Sequence, residues 1–199
     1  MTLPSLVSFS GYRGVGRDTA ADQLVAKARF VKCTIDEPLE EALLAIDPLI
    51  LDPSGNSVER YSTLKNTLGD YAKEEYAEIP RLLAVLKTYF GPQVLGAEHW
   101  TGLTYQRIRA IREINKSVAL SGVVDQQELD AVRELGGVTV WINRPSIKVR
   151  VGDTTITAAD CDVVVENDGT FKEFYANIVE SLEEWNEKHP KVSVEEEED

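Results

Sequence analysis

Residues 9–19, Phe9-Ser10-Gly11-Tyr12-Arg13-Gly14-Val15-Gly16-Arg17-Asp18-Thr19, carry the residue types and spacings in this chain most suited to chemistry. Leu6, Val7 and Phe9 make the approach apolar enough for a buried strand, and Thr19 to Lys27 reads as a helix. A glycine-rich turn between a strand and a helix N-terminus gathers backbone N–H groups at the positive end of the helix dipole, which favours an anion such as phosphate. Gly11 and Gly16 have the spacing of G-x-x-x-x-G-K-[ST], and Gly14 adds a further flexible point. The lysine position holds Arg17, and Asp18 intervenes before the Thr19 hydroxyl. Lysine is a slim point charge and guanidinium a wide planar fork, so Arg17 would hold a phosphate with a different geometry. Asp18 places a negative charge at the mouth, which repels phosphate unless a metal or Arg13 offsets it. The plainer reading is a tight strand-to-helix turn without a ligand.

Other chemistries find less support. His99 and His189 are the two histidines, and neither falls in a ligand-spaced cluster with cysteine or carboxylates, so no metal site is expected. Neither a G-x-S-x-G elbow nor a C-x-x-C is present. Cys33 and Cys161 do not make a disulfide framework and read as small core fillers in a reduced setting. Arg109 and Arg112 are three apart and share a helix face with Arg107 nearby; they could grip anions from a lid, but a solvated helix surface is the simpler expectation. A dinucleotide-binding turn at Gly11, Gly14 and Gly16 would need an acidic residue ending the second strand, for which Asp36 is the candidate.

At 199 residues the chain suits one domain with a substantial core. Hydrophobic residues make up 43% and charged ones 28%, an ordinary globular balance. The formal net charge of −13 argues against broad, charge-driven binding to nucleic acid or anionic membrane, though not against a local nucleotide pocket. No apolar run approaches the ~20 residues of a membrane span, and no signal peptide is read at Met1-Thr2-Leu3-Pro4. Val194 to Asp199 is a like-charge block, read as a solvated acidic tail over 191–199.

The elements that must position the turn alternate. A second strand is expected over Phe30–Ile35 and a helix capped by Asp36 with Leu39, Leu43, Leu44 and Ile46 on its apolar positions. Pro48, Pro53 and Gly55 predict a loop over 47–57. Ile79, Leu82, Leu83, Leu86 and Phe90 form one helical face that Gly91-Pro92 should interrupt, and a further helix is expected from about Gln93 to Ile114. Strands follow at Ser117–Ser121, Val138–Ile142 and Asp162–Val165, with a short one around Lys148–Val151. Asp125 with Glu128, and Thr170 with Glu173, resemble capping boxes opening two helices. Near-continuous apolar strands between helices imply an α/β fold with a parallel sheet covered on both faces.

To about Trp185 the chain resembles the deoxynucleoside monophosphate kinases encoded by bacteriophages, particularly those of actinobacterial phages. Ser10 to Asp22 is similar to that family's S-G-x-x-x-S-G-K-D-T-x-A-D, Glu37-Pro38-Leu39 to its D-P-L, and Pro80-Arg81-Leu82-Leu83 to its R-x-L-L-Q helix. Glu128 to Gly137 resembles N-E-x-x-A-I-x-x-x-G-G, Arg144-Pro145 its R-P, and Asn167-Asp168-Gly169-Thr170 its N-D-G-T. The resemblance implies a P-loop kinase-like sheet in a single domain over 1–190 with a helical insertion at about 47–115. It implies ATP and Mg²⁺ as cofactors and a deoxynucleotide as acceptor. Gly11, Tyr12, Arg13, Gly14, Val15, Gly16, Arg17, Asp18 and Thr19 would hold the nucleotide phosphates, and Glu37 and Arg81 the acceptor.

The departures gather where that chemistry would sit. Arg17 replaces the lysine; Leu86-Lys87-Thr88-Tyr89-Phe90-Gly91-Pro92 stands where the family has L-G-T-E-x-G-R; and Gly122 to Glu128 stands where it has D-V-R-F-P-N-E. The family's H-x-S-E has no clear counterpart in 146–160. Phosphoryl transfer rests on positioning and cationic stabilisation, and one arginine acting on the transition state is worth roughly three to five orders of magnitude. The expectation is therefore a phage protein that keeps the kinase scaffold with transfer impaired or lost, retained for binding a nucleotide or a phage or host protein partner. It would act in the cytoplasm of the infected cell or in the phage particle. The alternative is a working ATP-dependent deoxynucleoside monophosphate kinase, with Arg17 in the lysine's role and Arg107, Arg109 or Arg112 standing in for the missing arginines.

Overall fold

Leu6–Ser10 is buried at all five positions, which requires a sheet covered on both faces. The computed structural model describes residues 3–96, 98–148 and 152–190. The acidic tail, and residues 149–151 of the short strand expected near Lys148, lie outside the described residues. In chain order the elements are β1 (Leu6–Ser10), α1 (Arg17–Ala28), β2 (Val31–Thr34), α2 (Glu37–Ile46), β3 (Leu49–Leu51), β4 (Val58–Arg60), α3 (Tyr61–Leu68), α4 (Ala72–Glu75), α5 (Glu78–Val85), a π-helix (Leu86–Leu95), α6 (His99–Glu113), β5 (Val118–Val123), α7 (Gln126–Glu134), β6 (Val138–Asn143), β7 (Val163–Glu166) and α8 (Phe171–Lys188). Short 3₁₀ turns lie at Gly69–Tyr71 and Ala158–Asp160. The chain forms two compact units, Met1–Cys33 with Ala110–Asp199, and Thr34–Arg109.

The first unit holds a five-stranded sheet in the order β2-β5-β1-β6-β7, so β1 is central. β1 runs parallel to β5 on one side and β6 on the other, and β6 runs parallel to β7. Val7, Phe9, Ala119, Val138, Val140 and Ile142 are fully buried, packed with Ala20, Ala21 and Leu24 of α1 and Phe174, Ile178 and Leu182 of α8. The sequence thus folds as the α/β parallel sheet flanked by helices that its alternation predicts. Where β1 ends, the register shifts: Phe9 pairs with Ser121 but Ser10 with Val123. The skipped residue, Gly122, has φ +90°. A bulge of this kind re-aims the chain beside the turn that follows β1.

The second unit packs around Leu39, Leu43, Ile50, Tyr61, Leu64, Ile79, Leu86 and Trp100, so α2 belongs to this core. Three expectations are corrected here. Residues 47–57 are not all loop: β3 and β4 pair antiparallel, Leu49 with Arg60 and Leu51 with Val58. The Asp52 carboxylate closes the turn between them, accepting from the Asn56 and Ser57 N–H groups and the Ser54 hydroxyl. Gly91-Pro92 does not end the helix, which continues as a π-helix to Leu95. The bare Cα of Gly91 leaves room for the Trp100 indole, whose Nε1–H donates to the Leu86 carbonyl at 2.9 Å. Finally, Asp36 precedes α2 without capping it through its side chain; its carboxylate lies 3.6 Å from Lys87 Nζ.

Candidate functional site

Between β1 and α1 the backbone takes positive φ at Gly11 (+136°), Gly14 (+89°) and Gly16 (+104°), a conformation that L side chains rarely adopt. The Val15 N–H donates to the Tyr12 carbonyl at 3.2 Å, closing the loop on itself. Sterics demand the outer glycines as well. A Cβ on Gly11 would fall 2.7 Å from the Ile142 carbonyl oxygen, and one on Gly16 would fall 2.6 Å from Asn167 Nδ2. Gly16 occupies the cap position of α1, and no side chain caps the helix there. The first-turn N–H groups of a 12-residue helix therefore point out at a glycine turn, the local geometry that takes an anion.

Side chains from distant strands brace this turn. Asn167, directly after β7, donates from Nδ2 to the Val15 carbonyl at 2.7 Å, and its own N–H donates to the Asn143 carbonyl at 2.8 Å. Tyr12 meets Trp141 edge to face at 5.2 Å. The Arg13 N–H donates to the Asp153 carboxylate at 3.2 Å.

Asp18 is handled differently from the expectation that Arg13 or a metal would offset it. Its Oδ1 accepts from the Ser121 hydroxyl at 2.6 Å and lies 3.5 Å from Lys32 Nζ, which also bonds Asp22 at 2.9 Å. Burial works to lower the Lys32 pKa, but the hydrogen bond to Asp22 and the charges of Asp18 and Asp22 outweigh it and raise the value. Lys32 therefore stays charged and draws Asp18 toward the sheet.

The structure brings Gly11 to Thr19 together around one turn and disposes of the other candidates separately. Arg112 is held by the Leu135 carbonyl and by Ser5 Oγ, just ahead of β1 and so at the opposite end of that strand from the loop. It cannot stand in for a phosphate-gripping arginine there. Within the second unit, Glu37 pairs with Arg107 at 2.9 Å, and Arg107 also takes both Glu41 carboxylate oxygens at 2.8 and 2.9 Å. The Glu41 hydrogen bond, followed by the charge of Glu37, holds the guanidinium pKa above its ordinary range. Arg81 is exposed and lies 3.3 Å from Glu78, beside a groove of about 520 Å³ lined by Leu51, Tyr76 and Glu78. Sequence reasoning missed Lys32, Ser121 and Asp153. Asn167 was visible only as part of the N-D-G-T element, with nothing local to assign it a partner 152 positions away.

The fit to the groups that the resemblance implies is uneven. A nucleotide phosphate fits the loop's N–H groups and the open α1 N-terminus. Mg²⁺ finds less: Thr19 offers a hydroxyl, Asp18 is already engaged, and no cluster of three His, Cys, Asp or Glu side chains suited to a metal occurs among the described residues. No helix among the described residues is long and apolar enough to cross a membrane.

Fold and site together define an α/β protein with a strand–glycine turn–helix loop at the end of its central strand, a geometry suited to an anion. No family model matches the chain. It is 25% identical over 195 residues to a protein of Acanthamoeba polyphaga mimivirus described as "Putative deoxynucleotide monophosphate kinase", the match covering 89% of this chain and 96% of that protein. Among solved structures it is similar to a sugar kinase from Janibacter sp. at 11% identity, covering 89% of this chain and 94% of that one with a TM-score of 0.49. It is also similar to the dephospho-CoA kinase of Campylobacter jejuni at 11% identity, covering 91% and 97% with a TM-score of 0.47.

Proposed function

We propose that this protein binds a nucleotide through the Gly11–Thr19 loop on a scaffold shared with deoxynucleoside monophosphate kinases, and that its capacity for phosphoryl transfer is impaired or lost. One contrast carries the reading. The backbone cradle is intact, with three positive-φ glycines and an uncapped α1, while the cations that transfer requires are altered or committed elsewhere. Arg17 stands where the lysine would be, and Arg112 is fastened behind β1. In such a site ATP would supply the phosphoryl group, and the backbone N–H groups of Arg13, Gly14, Gly16 and the first turn of α1 would hold its phosphates. The proposal extends to a role in the cytoplasm of an infected cell or in the phage particle, with a phage or host protein as partner; the viral source of the 25%-identical relative is in keeping with the infected-cell setting.

Calorimetry with ATP–Mg²⁺, alongside a turnover assay on the four deoxynucleoside monophosphates, tests this. The expected outcome is saturable ATP binding with no turnover above background. Turnover would overturn the loss of transfer, and absence of binding would overturn the nucleotide assignment.

The second reading, an active kinase, has one observation in its favour: Lys32 and Ser121 partly offset the charge of Asp18, lessening the repulsion that would otherwise weaken phosphate binding. It predicts that Arg17→Ala abolishes turnover and that Arg17→Lys preserves or raises it.

A further inference from the structure

Phosphate would meet a competitor already seated at the loop. Asp153 Oδ2 lies 3.2 Å from the Arg13 nitrogen, accepting the hydrogen bond of a loop N–H. An N–H carrying a carboxylate is unavailable to a second anion, and the carboxylate's charge repels one bound next to it. Asp18, the other acid beside the loop, has Lys32 and Ser121 to answer its charge; among the described residues, the bond Asp153 makes at the loop is to a backbone N–H.

The Asp153 segment is fastened on its C-terminal side. The Thr154 hydroxyl donates to the Val124 carbonyl at 2.7 Å, and the Thr155 N–H donates to the same oxygen at 2.9 Å. Ile156 is 3% exposed. Thr157 and Asp160 form a reciprocal capping box on the following turn. N-terminal to Asp153, Gly152 has φ +91° and open space around it. The carboxylate therefore sits one residue before a fixed anchor and directly after a glycine at positive φ.

We propose that Asp153 is an internal anion that occupies the Arg13 N–H of the phosphate loop and must leave before a nucleotide phosphate takes that position. This is an autoinhibitory contact, and it rests on the reading of the loop as a phosphate site. A single charge-assisted hydrogen bond at a half-exposed site corresponds to roughly a three- to tenfold change in apparent affinity.

The test compares wild type, Asp153→Asn and Asp153→Ala for binding of pyrophosphate and of ATP, by calorimetry at fixed ionic strength. Asparagine keeps the size and can accept from Arg13 but removes the charge; alanine removes both. Both variants should bind three- to tenfold more tightly than wild type, alanine at least as tightly as asparagine. The Arg13 amide should exchange with solvent faster in Asp153→Ala than in wild type without ligand. Equal or weaker binding by the variants, with wild type binding measurably, overturns the contact as an inhibitor and leaves the loop assignment standing. No binding by any of the three, in folded protein, overturns both.

Discussion

Asn167→Ala should lower ATP affinity about tenfold while leaving the fold intact. Its Nδ2 bond to the Val15 carbonyl is a side-chain strut on the loop, and a hydrogen bond of this kind contributes about 0.5–1.5 kcal/mol. Gly16→Ala should be worse, because it combines φ +104° with a Cβ 2.6 Å from the same Nδ2; the backbone strain alone is about 1–2 kcal/mol. The two substitutions share an atom, so they should not add. Urea denaturation of both singles and the double should show Gly16→Ala costing less in the Asn167→Ala background. Strict additivity would mean the loop is not braced as described. A different outcome is expected at Tyr61, whose hydroxyl is buried with no hydrogen-bond partner among the described residues. Burial first, then the charge of Glu40, raises its pKa. Removing an unpaired buried polar atom relieves a penalty, so Tyr61→Phe should leave stability unchanged or raise it by about 1 kcal/mol.

At the level of elements, α8 illustrates what could be read in advance. Thr170 accepts from the Glu173 N–H at 3.3 Å, and Glu173 Oε2 accepts from the Thr170 N–H at 2.7 Å. That box is local, three residues wide, and legible. Thr170→Ala should cost about 1 kcal/mol by thermal unfolding. The bond from the Thr170 N–H holds the Glu173 pKa below its ordinary value. A depressed carboxylate stabilises the fold above the unfolded pKa and loses that contribution as pH falls through the folded one. The stability gap between wild type and Glu173→Gln should thus be constant above about pH 5 and close below about pH 4; a gap that widens in acid would contradict the box. The second acid-led box was legible in half. Asp125 does accept from the Glu128 N–H, but Glu128 turns back to the Val124 N–H instead. What the sequence concealed was long-range. Nothing near Gly91-Pro92 announces that Trp100 will fill the space of a missing Cβ, and nothing near Arg13 announces Asp153. The phosphate turn was visible because glycine spacing is local; its braces come from partners 103 to 152 positions away.

Across the whole molecule, 34 acidic against 21 basic side chains leave a net charge of −13. Self-repulsion of this kind opposes compactness, and salt relieves it. Salt also weakens ion pairs, so two effects compete. The stronger pairs here, Lys65 with Glu40 at 2.7 Å and Lys32 with Asp22 at 2.9 Å, join partly buried lysines, which salt screens less than exposed ones. Exposed pairs such as Lys188 with Glu184 contribute about 0–1 kcal/mol each and have little to lose. Repulsion among the excess acids should dominate, and Tm should rise as sodium chloride goes from about 10 to about 200 mM, where the Debye length falls from about 30 to under 10 Å. A falling Tm would mean that the pairs, not the excess, govern stability. The same series separates screening from binding. Pyrophosphate at matched ionic strength should raise Tm beyond sodium chloride, because an anion seated on the loop stabilises the folded chain by mass action while a screening ion does not. That surplus should shrink in Gly16→Ala and grow in Asp153→Ala, tying a property of the whole chain to one turn of eleven residues.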